Sequence, residues 1–254
     1  MNSSSQLGRV ISVLAVLVWS VIWTLLPYGP DSAVPSLRYV LASGLQYWNN
    51  GWLWADLSSS LARVGVGVSV AFLAATMVTL SRVMLPRIST IAFMPLRLLR
   101  SFPPIALGPL AISWLGVGGK PAVMIVAFGA FFPIYQSLRL GVDHVESEHL
   151  ELARCFGASQ LVQFLHVVLP TMLAHALSGL YIGLGVGWFC VVAAEMLGAD
   201  SGLGFRLQSL SMNLATGGMW FYLLIIGIAG WLMINSAKQL ADKLSPWRMQ
   251  VTRP

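Results

Sequence analysis

Apolar residues run through long stretches of the chain, and most of its charge sits in the breaks between them. Crossing a hydrocarbon layer about 30 Å thick takes about 20 helical residues. Six stretches fit that scale: Val10 to Leu26, Leu57 to Leu80, Leu85 to Gly116, Pro121 to Leu140, Pro170 to Leu197 and Trp220 to Leu240. Lipid offers no hydrogen-bond partner, so each run must satisfy its own backbone. Leu, Ala, Val and Met with scattered Gly favour helices over barrel strands. The pattern predicts an all-α polytopic membrane protein with about six transmembrane helices.

The stretches are not alike. The first follows Arg9 and lacks a small-x-small cleavage site, so it reads as an anchored span rather than a removed leader. The third is too long for one crossing, because about 32 residues at 1.5 Å each would reach about 48 Å. Its first half, with Arg87, Arg97 and Arg100, is expected to lie obliquely. Pro103 and Pro104 should break it, leaving Ile105 to Gly116 to finish the crossing. Tyr28, Tyr39, Tyr47, Trp48, Trp52 and Trp54 suit a membrane-water interface. Asp200, Ser201, Gly202 and Gly204 form a turn outside the membrane, with a short interfacial helix expected over GFRLQSLSMN.

Composition narrows the class further. With 57% hydrophobic and 9% charged residues, the chain has room for one membrane domain and no separate catalytic one. The net charge of +6 fits loop flanks and does not call for nucleic acid. Arg9, Arg82, Arg87, Arg139, Arg154, Lys238, Lys243, Arg248 and Arg253 fall on one side of the six-span arrangement, against Arg38, Lys120 and Arg206 on the other. Both termini and the acidic loop at Glu151 are therefore expected in the cytoplasm. Cys155 and Cys190 lie in different settings and imply no disulfide. His144, His149, His166 and His175 show no ligand spacing with Cys155, so no metal is read from the sequence. No G-x4-G-K-[ST] loop occurs, so ATP is not expected to bind this chain by that device.

A few polar residues stand out inside apolar segments. Arg63, Arg100 and Glu195 are the substrate-pathway candidates, because intramembrane charge is expensive unless it faces a cavity or a partner. For Arg63 and Arg100 the favoured role is instead that of a structural cation, paired with a carbonyl or snorkelling to an interface. For Glu195, bracing is favoured, with a basic or backbone donor as partner. Gly179, Gly183 and Gly187 recur every fourth residue, share one helix face and permit close helix packing.

Between the fourth and fifth spans lies ELARCFGASQLVQFLHVVLP, from Glu151 to Pro170. Glu151 suits the first turn of a helix, Gly157 a helix end or a close backbone approach, and Pro170 the first turn of the next span. The spacing of Glu151, Ala153, Gly157, Val167, Leu169 and Pro170 resembles the EAA loop of permease subunits of bacterial ATP-binding cassette importers. Leu152 departs from that family's usual Ala. The stretches LLRSFPPIALGPLAISWLGVG, FFPIYQSLRLGV and VVAAEMLGADSGLGF are similar to the nitrate, taurine and alkanesulfonate group of these permeases.

The resemblance implies a type I (MetI-like) importer permease fold in a bacterial inner membrane. Residues 1–56 would form an N-terminal span and external segment, 57–240 the core with a coupling loop at 141–170, and 241–254 a tail. Glu151, Leu152, Ala153, Gly157, Ala158, Leu169 and Pro170 would carry coupling, the helix from Glu151 to Ser159 seating in a groove of the ATPase. Two ATPase subunits using ATP and Mg, a second permease copy and an extracytoplasmic binding protein are the implied partners. No catalytic residue and no cofactor are expected on this chain. The implied cargo is a small anion such as nitrate, bicarbonate, cyanate, taurine or a sulfonate, with thiamine precursors or other heterocycles as the alternative. An ion-coupled secondary transporter or a channel is the reading from another class. It would show repeated halves, paired midplane charges or a polar filter.

Overall fold

The computed structural model describes residues 21, 23, 24, 32, 34–84, 94–145 and 147–244, and their regular structure is helical. In chain order these are α1 (Leu37–Asn49), α2 (Trp52–Met84), α3 (Met94–Leu99), a 3-10 turn (Pro104–Leu107), α4 (Gly108–Leu115) and α5 (Gly119–Asp143). There follow α6 (Ser147–Cys155), α7 (Gln160–Gln163), a π-helical segment (Phe164–Val168), α8 (Leu169–Gly198), α9 (Leu203–Met212) and α10 (Thr216–Leu244).

Four runs among the described residues are long and apolar enough to cross a membrane: Trp52–Val83, Gly119–Asp143, Leu161–Gly198 and Thr216–Lys243. They contain the second, fourth, fifth and sixth expected spans. The expected first span lies almost entirely outside the described residues, as does 85–93 of the third. In the remainder of that third stretch the helix ends at Leu99 and restarts at Pro104, the break expected at the two prolines. Pro104–Leu115 is a short apolar helix, and twelve residues reach only about 18–20 Å. Pro103 is extended at φ −65°, ψ 126°, and Gly116 turns the chain at φ 77°. Two adjacent prolines remove backbone donors at one end, and glycine's left-handed freedom ends the helix at the other.

The core is built where α5 runs along α8 and α2. Val64, Val68, Ala71 and Ala75 of α2 meet Ile125, Val126, Ala130, Ile134 and Leu138 of α5, with Met172, Ala176 and Val191 from α8. Alanine and glycine at these contacts let helices approach where lipid gives no hydrophobic drive for association. A side chain at Gly179 would meet Ser137 at 2.8 Å, one at Gly183 would meet Ile134 at 2.8 Å, and one at Gly187 would meet Val68 at 3.1 Å. The glycine face of α8 thus packs on spans of its own chain. Two hydroxyls inside α2 bond back to their own helix: Ser69 donates to the Gly65 carbonyl at 2.7 Å and Thr79 to the Ala75 carbonyl at 2.8 Å.

The entry to the fifth span differs from expectation. Pro170 stands in the first turn of α8 as its position suggests, but that helix does not start afresh there. The helical run begins at Gln160 and passes through the π segment into α8. Proline has no N–H for a carbonyl one turn back, and the wider turn ahead of it absorbs the missing bond. Thr171 donates its hydroxyl to the Val167 carbonyl at 2.9 Å in the same turn.

Candidate functional site

Two clusters sit at opposite ends of the bundle. One end is marked by the ion pair of Arg82 with Asp143, 3.9 Å apart at the ends of α2 and α5, and carries α6 and the π segment. The other holds the start of α2, the turn into α5, where Gly118 donates to the Gly198 carbonyl at 3.0 Å, and α9. Arg139, Arg154 and Lys243 share the first end, while Lys120 and Arg206 share the second.

At the first end α6 is a compact two-turn helix. It begins at Ser147, not Glu151, which corrects the expectation that Glu151 occupies its first turn. Ser and Glu, ahead of Glu151 in SEHLELARC, are good helix starters and extend it backwards. The helix also stops before Ser159. Gly157 donates to the Arg154 carbonyl at 2.9 Å and Ala158 to the Ala153 carbonyl at 3.0 Å. With Gly157 at φ 74°, this is the Schellman arrangement that closes a helix through a left-handed residue. Nothing lies within 4 Å of a Cβ placed on Gly157, so its backbone conformation, rather than a close neighbour in this chain, demands glycine. Ser159 caps the next helix, its Oγ accepting from Val162 N–H at 3.4 Å, and Gln163 donates to the Ala158 carbonyl at 2.8 Å to tie the turn down.

This knob presents apolar groups outward. Leu152 is 57% and Phe156 83% exposed, one helical turn apart. Glu151 and Arg154 are also exposed, Ala153 and Ala158 are half-buried, Leu169 is half-buried and Pro170 exposed. A phenyl ring is thus left open at the end of the helix, with exposed Glu151 and Arg154 on the same element.

At the opposite end Arg63 and Glu195 meet. Arg63 Nη1 lies 2.6 Å from Glu195 Oε1 and also donates to the Ser201 carbonyl at 2.6 Å. Its Nη2 reaches Ser201 Oγ at 2.7 Å and Asp200 Oδ1 at 3.3 Å. Glu195 also accepts from Ser60 Oγ at 2.9 Å and from Gly204 N–H at 3.0 Å. Gly119 leaves room for the guanidinium, since a Cβ there would stand 2.8 Å from Arg63 Nε.

Sequence reasoning missed Asp56 and Ser60. Asp56 is buried and accepts from Arg206 Nε at 2.9 Å, Tyr222 Oη at 3.0 Å and Gly202 N–H at 3.3 Å. Ser60 Oγ accepts from Leu203 N–H at 2.9 Å. The first N–H groups of α9, which have no partner within their own helix, are thus received by Asp56, Ser60 and Glu195 from α2 and α8. Two carboxylates at that end also complement the helix dipole. Asp56, Ser60 and Arg63 share one face of α2 at spacings of four and three, a signal present in the sequence. Arg206 stacks over Trp52 at 4.6 Å. Burial pulls its pKa down, but the hydrogen bond and charge of Asp56 outweigh this and hold it above the usual arginine value.

Arg100 stands apart, exposed in the turn after α3, and its side chain makes no hydrogen bond or ion pair with the described residues. Beside the brace, a groove of about 390 Å³ opens between the end of α8 and α9, with Met196, Phe205, Gln208, Met212 and Asn213 on its walls. Among the described residues no group of three or more His, Cys, Asp or Glu gathers as a metal site.

The fold is thus a bundle of long apolar helices with an exposed short helix at one end and a short helix tied down by buried polar side chains at the other. Residues 64–250 match the family of binding-protein-dependent transport system inner membrane components, and the chain belongs to it. It is 32% identical to the taurine transport system permease protein TauC of Escherichia coli (strain K12), over 98% of this chain and 92% of that one. It is 27% identical to the putative aliphatic sulfonates transport permease protein SsuC of Bacillus subtilis (strain 168), over 95% and 87%. The nitrate import permease protein NrtB of Synechocystis sp. is 27% identical over 87% and 83%.

Among solved structures, the MetNI methionine ABC transporter in an inward-facing conformation matches with TM-score 0.63 and 20% identity, covering 73% of this chain and 92% of that one. An amino acid ABC transporter with histidines matches at TM-score 0.64 and 15% identity, over 80% and 96%. These establish the MetI-like permease fold. The chain is a non-catalytic transport subunit of an ABC importer, whose ATP is hydrolysed by a partner ATPase and whose substrate comes from a binding protein. That sets aside the secondary-transporter and channel readings.

Proposed function

We propose that this permease forms the pathway for a small oxyanion of the taurine, alkanesulfonate or nitrate kind. The observation that carries the reading is the 32% identity to the taurine permease across 98% of the chain. Two copies would enclose the pathway, with two ATPases below and the binding protein above. Alternating access would exchange two discrete packings of these rigid bodies.

In this reading α6 is the coupling helix. Its exposed Leu152 and Phe156 support that role, since burying each in a partner groove would contribute about 1.5–3 kcal/mol. Both termini would be cytoplasmic, because the Lys and Arg excess falls at the α6 end. Arg63 and Glu195 serve as a brace, because each spends its charge on the other. Arg100 is then the pathway candidate whose charge no described residue engages, and it would meet a passing anion. The groove beside α9 is of a size that admits a small solute.

The test is ATP-dependent uptake into proteoliposomes holding the permease, its ATPase and its binding protein. Labelled taurine, an alkanesulfonate, nitrate and a thiamine precursor would be compared. Uptake of one of the anions supports the reading. Uptake of the heterocycle alone defeats it.

A further inference from the structure

His144 caps the end of α5 and His175 lies on α8, 31 positions apart in sequence. The fold places their rings 5.3 Å apart between centres, with 31° between planes. His144 Nδ1 is 2.7 Å from the Leu140 carbonyl oxygen, and His175 Nδ1 is 3.1 Å from that of Thr171. A carbonyl oxygen only accepts, so in both contacts Nδ1 is the donor, and Nε2 is the ring nitrogen left to meet a ligand. Imidazoles that ligate metals are oriented in this way, one ring nitrogen donating to a backbone carbonyl and the other facing the ion.

The spacing fits as well. With metal–nitrogen bonds of about 2.0–2.1 Å, each ring centre stands about 3.1 Å from the ion, and two rings on a tetrahedral ion stand about 5 Å apart. Gly141 holds the two helices close enough, since a Cβ there would meet the His175 Cβ at 2.9 Å. Asp143 is engaged by Arg139 at 3.2 Å and Arg82 at 3.9 Å. Those pairs offset positive charge near the site and leave the remaining coordination positions to water. His144 is exposed, which provides an entry path.

We propose that His144 and His175 form a two-ligand site for a borderline divalent transition-metal ion such as Zn2+ or Ni2+, the ions that imidazole suits. A bound ion would staple α5 to α8 across the neck of the 145–168 loop that carries α6. The site stands on its own geometry, whereas any effect on coupling rests on reading α6 as the docking helix.

The experiment is calorimetric titration of Zn2+ and Ni2+ into the full chain in detergent, purified without a histidine tag. One ion per chain is expected, with His144→Gln and His175→Gln each weakening affinity about tenfold or more. His149→Gln and His166→Gln should bind like the unaltered chain. Exposed His144 is the safer variant, so its result stands even if His175→Gln fails to fold. Absence of binding, unchanged affinity in His144→Gln, or loss of binding only in the His149 or His166 variants would overturn the proposal. Metal inhibition of stimulated ATP hydrolysis in the assembled transporter, lost in His144→Gln, would extend it to coupling.

Discussion

Arg63 Nη1 stands 2.6 Å from Glu195 Oε1 across 132 positions of chain, in a pair whose side chains are 10% and 0% exposed. The contact joins α2 to α8, and through Ser201 and Gly204 it fixes the start of α9 to both. Held this way, the pair anchors the start of α9 to both long helices.

Removing one partner should therefore cost more than removing both. Glu195→Met leaves a largely buried guanidinium with only the exposed Asp200 as counterion and should destabilise the subunit by about 3 kcal/mol. The double change Arg63→Met with Glu195→Met should recover part of that loss, as a double-mutant cycle on melting in detergent would register. Additive losses would show that the pair does not interact in the folded subunit.

Asp56→Ala should act similarly, and locally. It strips acceptors from Arg206, Tyr222 and Gly202 at once, so amide hydrogen exchange should rise first in α9 and at the start of α2. Exchange that rises equally along α5 would place the role of Asp56 elsewhere.

Arg100 offers the opposite case. Its exposed side chain spends no charge on the described residues, so Arg100→Gln should lower anion uptake while the ATPase still copurifies. Normal uptake, or a loss traceable to failed assembly, would remove Arg100 from the pathway.

Gly157→Val forces a branched residue to φ 74°, a conformation that costs about 1–2 kcal/mol for an L residue. Gly157→Asn should be milder, because asparagine visits that region. Phe156→Ala should weaken ATPase retention about tenfold or more by removing apolar contact area. Full retention and normal coupled hydrolysis in both Gly157→Val and Phe156→Ala would reduce α6 to a connector.

Topology is testable with the native thiols. Cys155 is exposed and Cys190 buried, so an impermeant thiol reagent should miss the protein in intact cells and label Cys155 once the membrane is opened. Strong labelling from outside would invert the orientation.

What the sequence revealed and what it hid follow from the range of the interactions. Apolar runs and the Pro103–Pro104 break are local features, so four long helices and the short α4 were close to where the pattern put them. Glu195 was legible as a buried acid, because nothing nearby in sequence could excuse it. Asp56 was not, since it precedes the apolar run from Leu57 and nothing near it in sequence marks it as buried. Its partners are at Gly202, Arg206 and Tyr222, far along the chain. His144 and His175 looked isolated for the same reason. The start of α6 was misplaced because the motif begins at Glu151 while the helix begins four residues earlier.

The π segment ahead of Pro170 sets a phase. Each residue of an α-helix advances about 100° around the axis, and the wide turn over Phe164–Val168 shifts α7 and all that hangs from it by a step of that kind. The direction in which Phe156 faces is thus counted out in residues between Gly157 and α8. A one-residue deletion there would leave the knob intact and aim it at a different quarter of the compass. Length in this segment should tolerate change less readily than residue identity does.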